Sequence, residues 1–239
     1  MDRPYETAWM WPLRTTRLIS VLVVLLATLI AIGFGQAKVR IDFDTLRAEV
    51  RDRFDEDRAS VVDDLEQLLD DVRARGPEEW TERINAFFNR HMRYVEDHEL
   101  YGQSDYWASP VEAIGHGAGD CEDFAIAKYL SLRKLGIENS KLRLIYVRAR
   151  IAGATRAHMV LGYYPEPEAE PLILGSLVDL IVPARNRTDL TPVFSFNSEG
   201  IWVGGQQRNG DQATDRLSRW RDVLQRARAE GITLNEQSE

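Results

Sequence analysis

The chain has one cysteine in 239 residues, Cys121. A single thiol cannot close an internal disulfide, so no covalent staple supports the fold, and redox compartment cannot be read from cysteine usage. An excess of positive charge is also lacking. Thirty Lys and Arg stand against 38 Asp and Glu, a net charge of −8. Nucleic-acid binding needs a basic stripe, and this balance argues against such a partner. No internal repeat is present. Long hydrophobic runs are absent but for one, Leu18 to Gly35, broken only by Ser20 and Thr28 and preceded by Arg14 and Arg17. That is a basic flank, an apolar core and, at Gly35-Gln36-Ala37, a small-x-small cleavage pattern. The run is also just long enough to span a membrane. Residues 1–37 are therefore expected to be a signal peptide or an N-terminal membrane anchor. Either way, positive charge on its N-terminal side leaves the rest of the chain across the membrane.

What remains, residues 38–235, suits one sizeable domain. Leu46, Val50, Phe54, Val61, Leu65, Leu68, Leu69 and Val72 recur at helical spacing within a charged stretch, which predicts one or two amphipathic helices. Gly76-Pro77 interrupts them. Glu78 to Val95 reads as a further helix with Trp80, Ile84, Phe87, Phe88 and Met92 inward. Residues 97–119 read as a loop region, with a short helix starting at Ser109-Pro110-Val111-Glu112: Ser at the N-cap, Pro at N1, Glu at N3. Lys141 to Ile151 and His158 to Tyr164 predict an antiparallel hairpin around a Gly-Ala-Thr-Arg turn. Further strand is expected at 172–174 and 177–182. Phe194-Ser195-Phe196 and Ile201-Trp202-Val203 flank a turn as another hairpin. Thr214 to Glu230 reads as a last helix, with Leu217, Trp220, Val223 and Leu224 inward. Helices followed by an antiparallel sheet make an α+β fold.

The cysteine lies in Gly115-His116-Gly117-Ala118-Gly119-Asp120-Cys121-Glu122-Asp123-Phe124. Apolar residues at 126, 129, 130, 132 and 135 continue at helical spacing to Gly136, a natural C-cap. Cys121 therefore falls at or just before the first turn of a partly buried helix, where the dipole lowers a thiol pKa and favours the nucleophilic thiolate. A lone cysteine is otherwise most often a small buried apolar side chain, a reading that suits the polar frame poorly. A thiolate nucleophile needs a base, and the base an orienting group. Of four histidines, His91 and His98 sit at charged helix ends and His116 in the glycine turn. His158 opens the strand after the cysteine helix and is the candidate base.

Taken together, Asp105-Tyr106-Trp107-Ala108-Ser109-Pro110, Gly117-Ala118-Gly119-Asp120-Cys121-Glu122-Asp123-Phe124-Ala125, Ala157-His158-Met159-Val160-Leu161 and Asp189-Leu190-Thr191-Pro192-Val193-Phe194-Ser195-Phe196-Asn197 resemble the bacterial transglutaminase-like cysteine proteinases, the LapG family. The resemblance runs from about Phe43 to Trp220. It implies a papain- and transglutaminase-like fold, with the cysteine helix and its N-terminal neighbours packed on an antiparallel sheet. It implies a periplasmic thiol protease that cleaves the N-terminal region of a giant outer-membrane adhesin at a dialanine site, releasing the adhesin and dispersing biofilm. The implied partner is a LapD-type inner-membrane receptor for cyclic-di-GMP, which sequesters the protease. The implied cofactor is calcium, carried over to Asp120, Glu122 and Asp123. Three carboxylates within four positions supply the oxygen ligands a hard cation takes, although acidic residues also favour a helix N-terminus for the dipole alone.

One position departs from the family. Its triad aspartate stands in a Leu-Asp-Asn-Leu segment, which here reads Leu174-Gly175-Ser176-Leu177, so Gly175 occupies the aspartate position. Asp179, four residues on, is the candidate substitute, and Ser176 a weaker one. Two functions of different class follow: an active endopeptidase using Cys121, His158 and Asp179, or a weak or inactive relative that binds receptor or adhesin without cleaving. A transglutaminase or amidase would share the acyl-thioester chemistry. The apolar run makes a direct prediction. In fractionated cells, residues 38–235 should be found outside the cytoplasmic membrane, and recovery of the full-length chain only from the soluble cytoplasm would contradict it.

Overall fold

The structure is a computed structural model that describes residues 39–166, 168–204, 206–208 and 214–234. The expected signal or anchor segment lies outside the described residues. Among those that are described, no helix is long and apolar enough to cross a membrane.

A three-residue strand β1 (Val39–Ile41) leads into helix α1 (Phe43–Arg53), which Asp42 caps by accepting from the Thr45 N–H at 3.2 Å. Asp55 caps α2 (Glu56–Val72) through the Arg58 N–H at 2.7 Å. A side chain at the N-cap satisfies one of the orphan donors of the first turn, which is why these acids start helices. Pro77 then opens α3 (Pro77–His91), shorter than its apolar pattern predicts because the chain turns into strand β2 (Arg93–Tyr94). Ile84, Phe87, Phe88 and Met92 are buried as expected, while Trp80 is half-buried and donates its indole N–H to the Val72 carbonyl at 2.7 Å.

The stretch predicted as loop holds more structure than its sequence shows. It contains a single turn α4 (Asp97–Leu100), the expected α5 (Pro110–His116) and strand β3 (Ala118–Gly119). Helix α5 carries the predicted capping box, with Ser109 Oγ accepting from the Glu112 N–H and the Glu112 carboxylate accepting from the Ser109 N–H. Strands β2 and β3 pair in parallel. Helix α6 (Cys121–Leu135) follows and is buried along its length from Cys121 to Arg133. Every other helix has a solvent face; α6 is the one around which the core closes.

The remaining chain builds the sheet. Strands β4 (Leu142–Ile151), β5 (Ala154–Tyr163), β6 (Leu172–Leu174), β7 (Val182–Pro183), β8 (Leu190–Asn197), β9 (Gly200–Val203) and β10 (Gln206–Arg208) lie in the spatial order β10-β9-β8-β4-β5-β6-β7, all antiparallel. Side chains alternate between its two faces. Leu142, Leu144, Met159, Leu161 and Phe196 join the helices in the main core, whereas Ile145, Val147, Ala149, Val160 and Ile173 form a second cluster on the outer face. Helix α7 (Thr214–Ala229) returns to the core through Trp220, edge-on to Tyr129 and Phe196, and strand β11 (Ile232–Leu234) closes the domain by pairing with β1. The α+β expectation holds.

The strand expected over 177–182 is reduced to Val182–Pro183. Its carbonyls are claimed from below instead. The buried Lys128 ammonium donates to the Gly175 carbonyl at 3.0 Å, and Asn85 Nδ2 donates to the Asp179 carbonyl at 2.8 Å. A backbone already bonded to helix side chains is not free to extend a ladder. Because the buried Trp220 ring packs edge-on against both Tyr129 of α6 and Phe196 of β8, Trp220→Ala is expected to cost about 3–5 kcal/mol of unfolding free energy, measurable as a fall in the urea midpoint with unchanged slope.

Candidate active site

The site is built where α5 hands over to α6. Gly117 ends α5 in the left-handed region, φ 55°, which a glycine enters at no steric cost. Gly119 is required for a different reason. A Cβ there would lie 2.4 Å from Asp123 Oδ2. That close approach lets the Asp123 carboxylate fold back to accept the Asp120 N–H at 3.1 Å with one oxygen and the Ala108 N–H at 2.7 Å with the other. Asp123 thus ties residues 107–109 to the first turn of α6 and presents Cys121 at the helix N-terminus.

Cys121 is 8% exposed, and its Sγ donates to Glu122 Oε2 at 3.0 Å. Burial raises the thiol pKa well above its usual value. The Glu122 and Asp120 charges and the hydrogen bond to Glu122 push it the same way, and only the Met159 backbone N–H on β5 favours the thiolate. The sequence-based expectation of a lowered thiol pKa is therefore reversed, first because the thiol is buried and then because two carboxylates flank it. Asp120 and Glu122 are in carboxyl–carboxyl contact, and burial first, then that contact, pushes Glu122 well up.

Cys121 and His158 line one cleft of about 570 Å³, together with Tyr94, Trp107, Asp120 and Glu122. No hydrogen bond joins Cys121 to His158. His158 lies in mid-strand rather than at a strand start, is paired across the sheet with Val147, and has no hydrogen-bond partner at Nδ1. Burial, then the nearby Arg187 charge, lower its pKa to about 4, with Asp189 opposing. His116 is exposed at the end of α5, edge-on to Phe54 and Tyr101, and does not line the cleft.

Asp179 is a correction. It does not orient His158. Its carboxylate accepts from Asn89 Nδ2 at 2.6 Å, and its charge acts on buried Lys128. The turn from Gly175 to Asp179 carries it toward Asn89 of α3 and Lys128 of α6. The charged groups near His158 are instead Arg187 and Asp189, joined by two hydrogen bonds of 2.9 and 2.7 Å. Neither was singled out from the sequence, where they are ordinary loop charges 29 and 31 residues from the histidine.

The acidic cluster is larger than the expected set. Carboxylate oxygens of Asp97, Asp120 and Asp123 lie within 4.8 Å of one another, as do ligand atoms of Asp120, Cys121 and Glu122. Asp97 was missed because it reaches the cluster only through the β2–β3 pairing. It is 4% exposed. Asp97 Oδ1 and Asp120 Oδ1 are both buried and without a partner. Unpaired buried carboxylate oxygens are costly, and several converging on one point fit a hard divalent cation.

Comparison with known proteins agrees with this site. The family model described as bacterial transglutaminase-like cysteine proteinase BTLCP matches residues 67–166. Legionella pneumophila LapG is 37% identical and superposes with a TM-score of 0.67, over 79% of this chain and 97% of that one. The chain belongs to the bacterial transglutaminase-like cysteine proteinases. It is a cysteine protease with a transglutaminase-like fold. An EGTA-treated form of the Legionella protein (36% identity, TM-score 0.67, 79% and 98% covered) and a calcium-bound form (35%, 0.66, 78% and 99%) match equally well. No curated protein matches. In this proteinase the lone thiol gives a clean readout of its surroundings. With chelator at neutral pH, Cys121 should alkylate slowly with iodoacetamide. Glu122→Gln should speed it at least several-fold, because a neutral amide in place of the carboxylate no longer opposes the thiolate by charge. An unchanged rate in the variant would show that Glu122 does not govern the thiol.

Proposed function

We propose that this protein is an exported, calcium-dependent endopeptidase that cleaves the N-terminal region of a large surface adhesin, with Cys121 as nucleophile and His158 as general base and acid. The observation that carries the reading is the cleft: a thiol at a helix N-terminus, a histidine on the facing strand and buried, partly unpartnered carboxylates beside them, in a chain 37% identical to LapG. The calcium-bound form of that relative supports the choice of cation. In a periplasmic setting, adhesin release would disperse biofilm, and a LapD-type inner-membrane receptor for cyclic-di-GMP is the proposed regulatory partner.

The chemistry follows from the residues. Cys121 Sγ attacks the scissile carbonyl carbon as its proton moves to the His158 imidazole. The imidazolium returns that proton to the leaving amine as the C–N bond breaks, leaving a thioester. Water then attacks the acyl carbon, giving a proton to His158, and the C–S bond breaks to restore the thiol. For the first step the thiol proton must leave Glu122 Oε2, where the hydrogen bond now holds it. Asp97, Asp120, Glu122 and Asp123 would hold the calcium ion, whose positive charge would offset the carboxylate repulsion of the thiolate.

A second reading has one observation of its own. Gly175 occupies the family's aspartate position and Asp179 is bound to Asn89, so no carboxylate side chain contacts His158. A relative that binds adhesin or receptor without cleaving is consistent with this. One experiment separates the two: incubation with an adhesin N-terminal fragment, with calcium or chelator, read by mass. The protease reading expects cleavage only with calcium, none with Cys121→Ala, and a loss with His158→Ala approaching that of the thiol variant. Intact fragment under every condition, with retained binding to a LapD-type receptor domain, would replace it by the binder reading.

Calcium has a readout independent of turnover. A ligand that binds only the native state stabilises it by mass action. Calcium should raise the melting temperature of the unmodified chain, and Asp97→Asn or Asp120→Asn should abolish the gain. Without calcium the same substitutions should be neutral or stabilising, because each removes one of several buried like charges. A melting curve insensitive to calcium in the unmodified protein would take the metal out of the mechanism.

A further inference from the structure

The glycine at position 175 leaves the place of one side chain open, a small hollow that a buried donor without a partner faces. Its φ is outside the left-handed region, so the backbone does not call for glycine. Space does not call for it either. A Cβ built there meets nothing nearer than Arg187 Nη1 at 3.7 Å, Val160 Cγ1 at 3.8 Å and the Val178 carbonyl at 4.0 Å, all ordinary contact distances.

Arg187 is 8% exposed. Its Nε and Nη2 are bonded to Asp189, but Nη1, the atom facing Gly175, is buried with no partner. His158 is 2% exposed and its Nδ1 is buried without a partner as well. Sheet register puts the two on one side. Pairing of Leu161 with Leu174 and Gly162 with Ile173 continues to place Gly175 opposite Val160, in keeping with the Val160 contact. His158 is two residues along the same strand and so on the same face. Diagonal cross-strand positions of this kind lie about 7–8 Å apart. A carboxylate attached at or lodged beside position 175 would thus have Arg187 Nη1 in contact and the His158 ring one diagonal step away.

We propose that the hollow beside Gly175 is a binding site for a small carboxylate, held between the Arg187 guanidinium and the His158 imidazole, and that its occupant orients the histidine for proton transfer. The chemistry is specific to an anion with two acceptor oxygens. A guanidinium N–H and an imidazole N–H both donate to it, and charge-assisted bonds of this kind are the strong ones. Asp189 already offsets the Arg187 charge, so an added anion is left to balance the imidazolium that forms when His158 takes the thiol proton. Arg187 acts here as a positioning residue. The rate effect rests on the protease reading above; binding rests on the geometry alone.

The test uses the full chain with its native residues. The His158 ring resonances, assigned by loss in His158→Gln, are followed by NMR at fixed pH and ionic strength during titration with sodium formate or acetate. Sodium chloride and neutral formamide serve as the two comparison arms. Saturable shifts confined to His158 among the four histidines are expected with formate, with a dissociation constant on the order of millimolar, near the ceiling for so small a ligand. Gly175→Asp should remove the formate response by placing a tethered carboxylate in the hollow. Arg187→Gln should weaken the response at least several-fold. In the cleavage assay, formate should raise kcat/KM with the same midpoint in the unmodified chain and not in Gly175→Asp. Absence of a saturable His158 shift with formate or acetate, or an equal response to chloride or formamide, overturns the site. A saturable, Gly175-dependent shift with no cleavage of any fragment upholds the site while the protease reading fails.

Discussion

Four carboxylates meet a thiol at the start of α6, and most of the local structure serves that meeting. Asp97, Asp120, Glu122 and Asp123 are each at most 7% exposed. Burying ionised carboxylates without partners costs several kcal/mol apiece, so the cluster persists only where something satisfies its oxygens. For Asp123 that is the backbone, through the Ala108 and Asp120 N–H groups, and Gly119 is what makes the fold-back possible. For Asp97 it is in part the Tyr106 N–H. The parallel β2–β3 contact, with the Arg93 and Val95 N–H groups donating to the Gly117 and Gly119 carbonyls, brings Asp97 across to the helix. The oxygens left over are the ones a cation would take. Burial pushes Asp97 up to about 7, and Glu122 and the Cys121 thiol well above their usual ranges.

The second constraint is the alternation of β5. Met159 and Leu161 pack under the helices, while His158 and Val160 belong to the register of the outer face. Cys121 meets this strand at the Met159 backbone N–H, and His158 stands between the cleft and the outer charges of Arg187 and Asp189. A histidine so placed answers to both sides of the sheet. The cleft with Cys121 lies on one side of it and the Arg187–Asp189 pair on the other, beside the side-chain-free position 175. Lys128 holds that segment in place. Its ammonium, buried two turns along α6 from the cysteine, is shared among Asn85 Oδ1, Asn89 Oδ1 and the Gly175 carbonyl. The same network draws Asp179 to Asn89 and away from the histidine.

Much of this was legible in the residues. The helix start at Ser109, the break at Gly76-Pro77, the cysteine at a helix N-terminus and the two main hairpins all come from local rules of capping and periodicity. What failed was non-local. The strand expected over 177–182 had suitable residues, but its Asp179 carbonyl is bonded to Asn85, 94 residues away in sequence, and the Gly175 carbonyl just before it to Lys128. Asp179 was close in sequence to the right place and on the wrong side of a turn. Asp97 and Arg187 carry no local signal, and Asp189, though it opens a family-like segment, shows no role there.

By itself the sequence determined the class of chemistry, because a lone cysteine framed by glycines and carboxylates ahead of an amphipathic helix is a pattern that local geometry converts into a thiol at a helix end. It also determined that position 175 carries no side chain. The tertiary structure alone decided the state of that thiol, since its protonation depends on how deeply Asp120 and Glu122 are buried with it, and burial is a property of the whole packing. It decided as well what faces the side-chain-free position. Arg187 Nη1 and His158 Nδ1 are assembled there by sheet register and a distant loop, and no spacing along the chain specifies either.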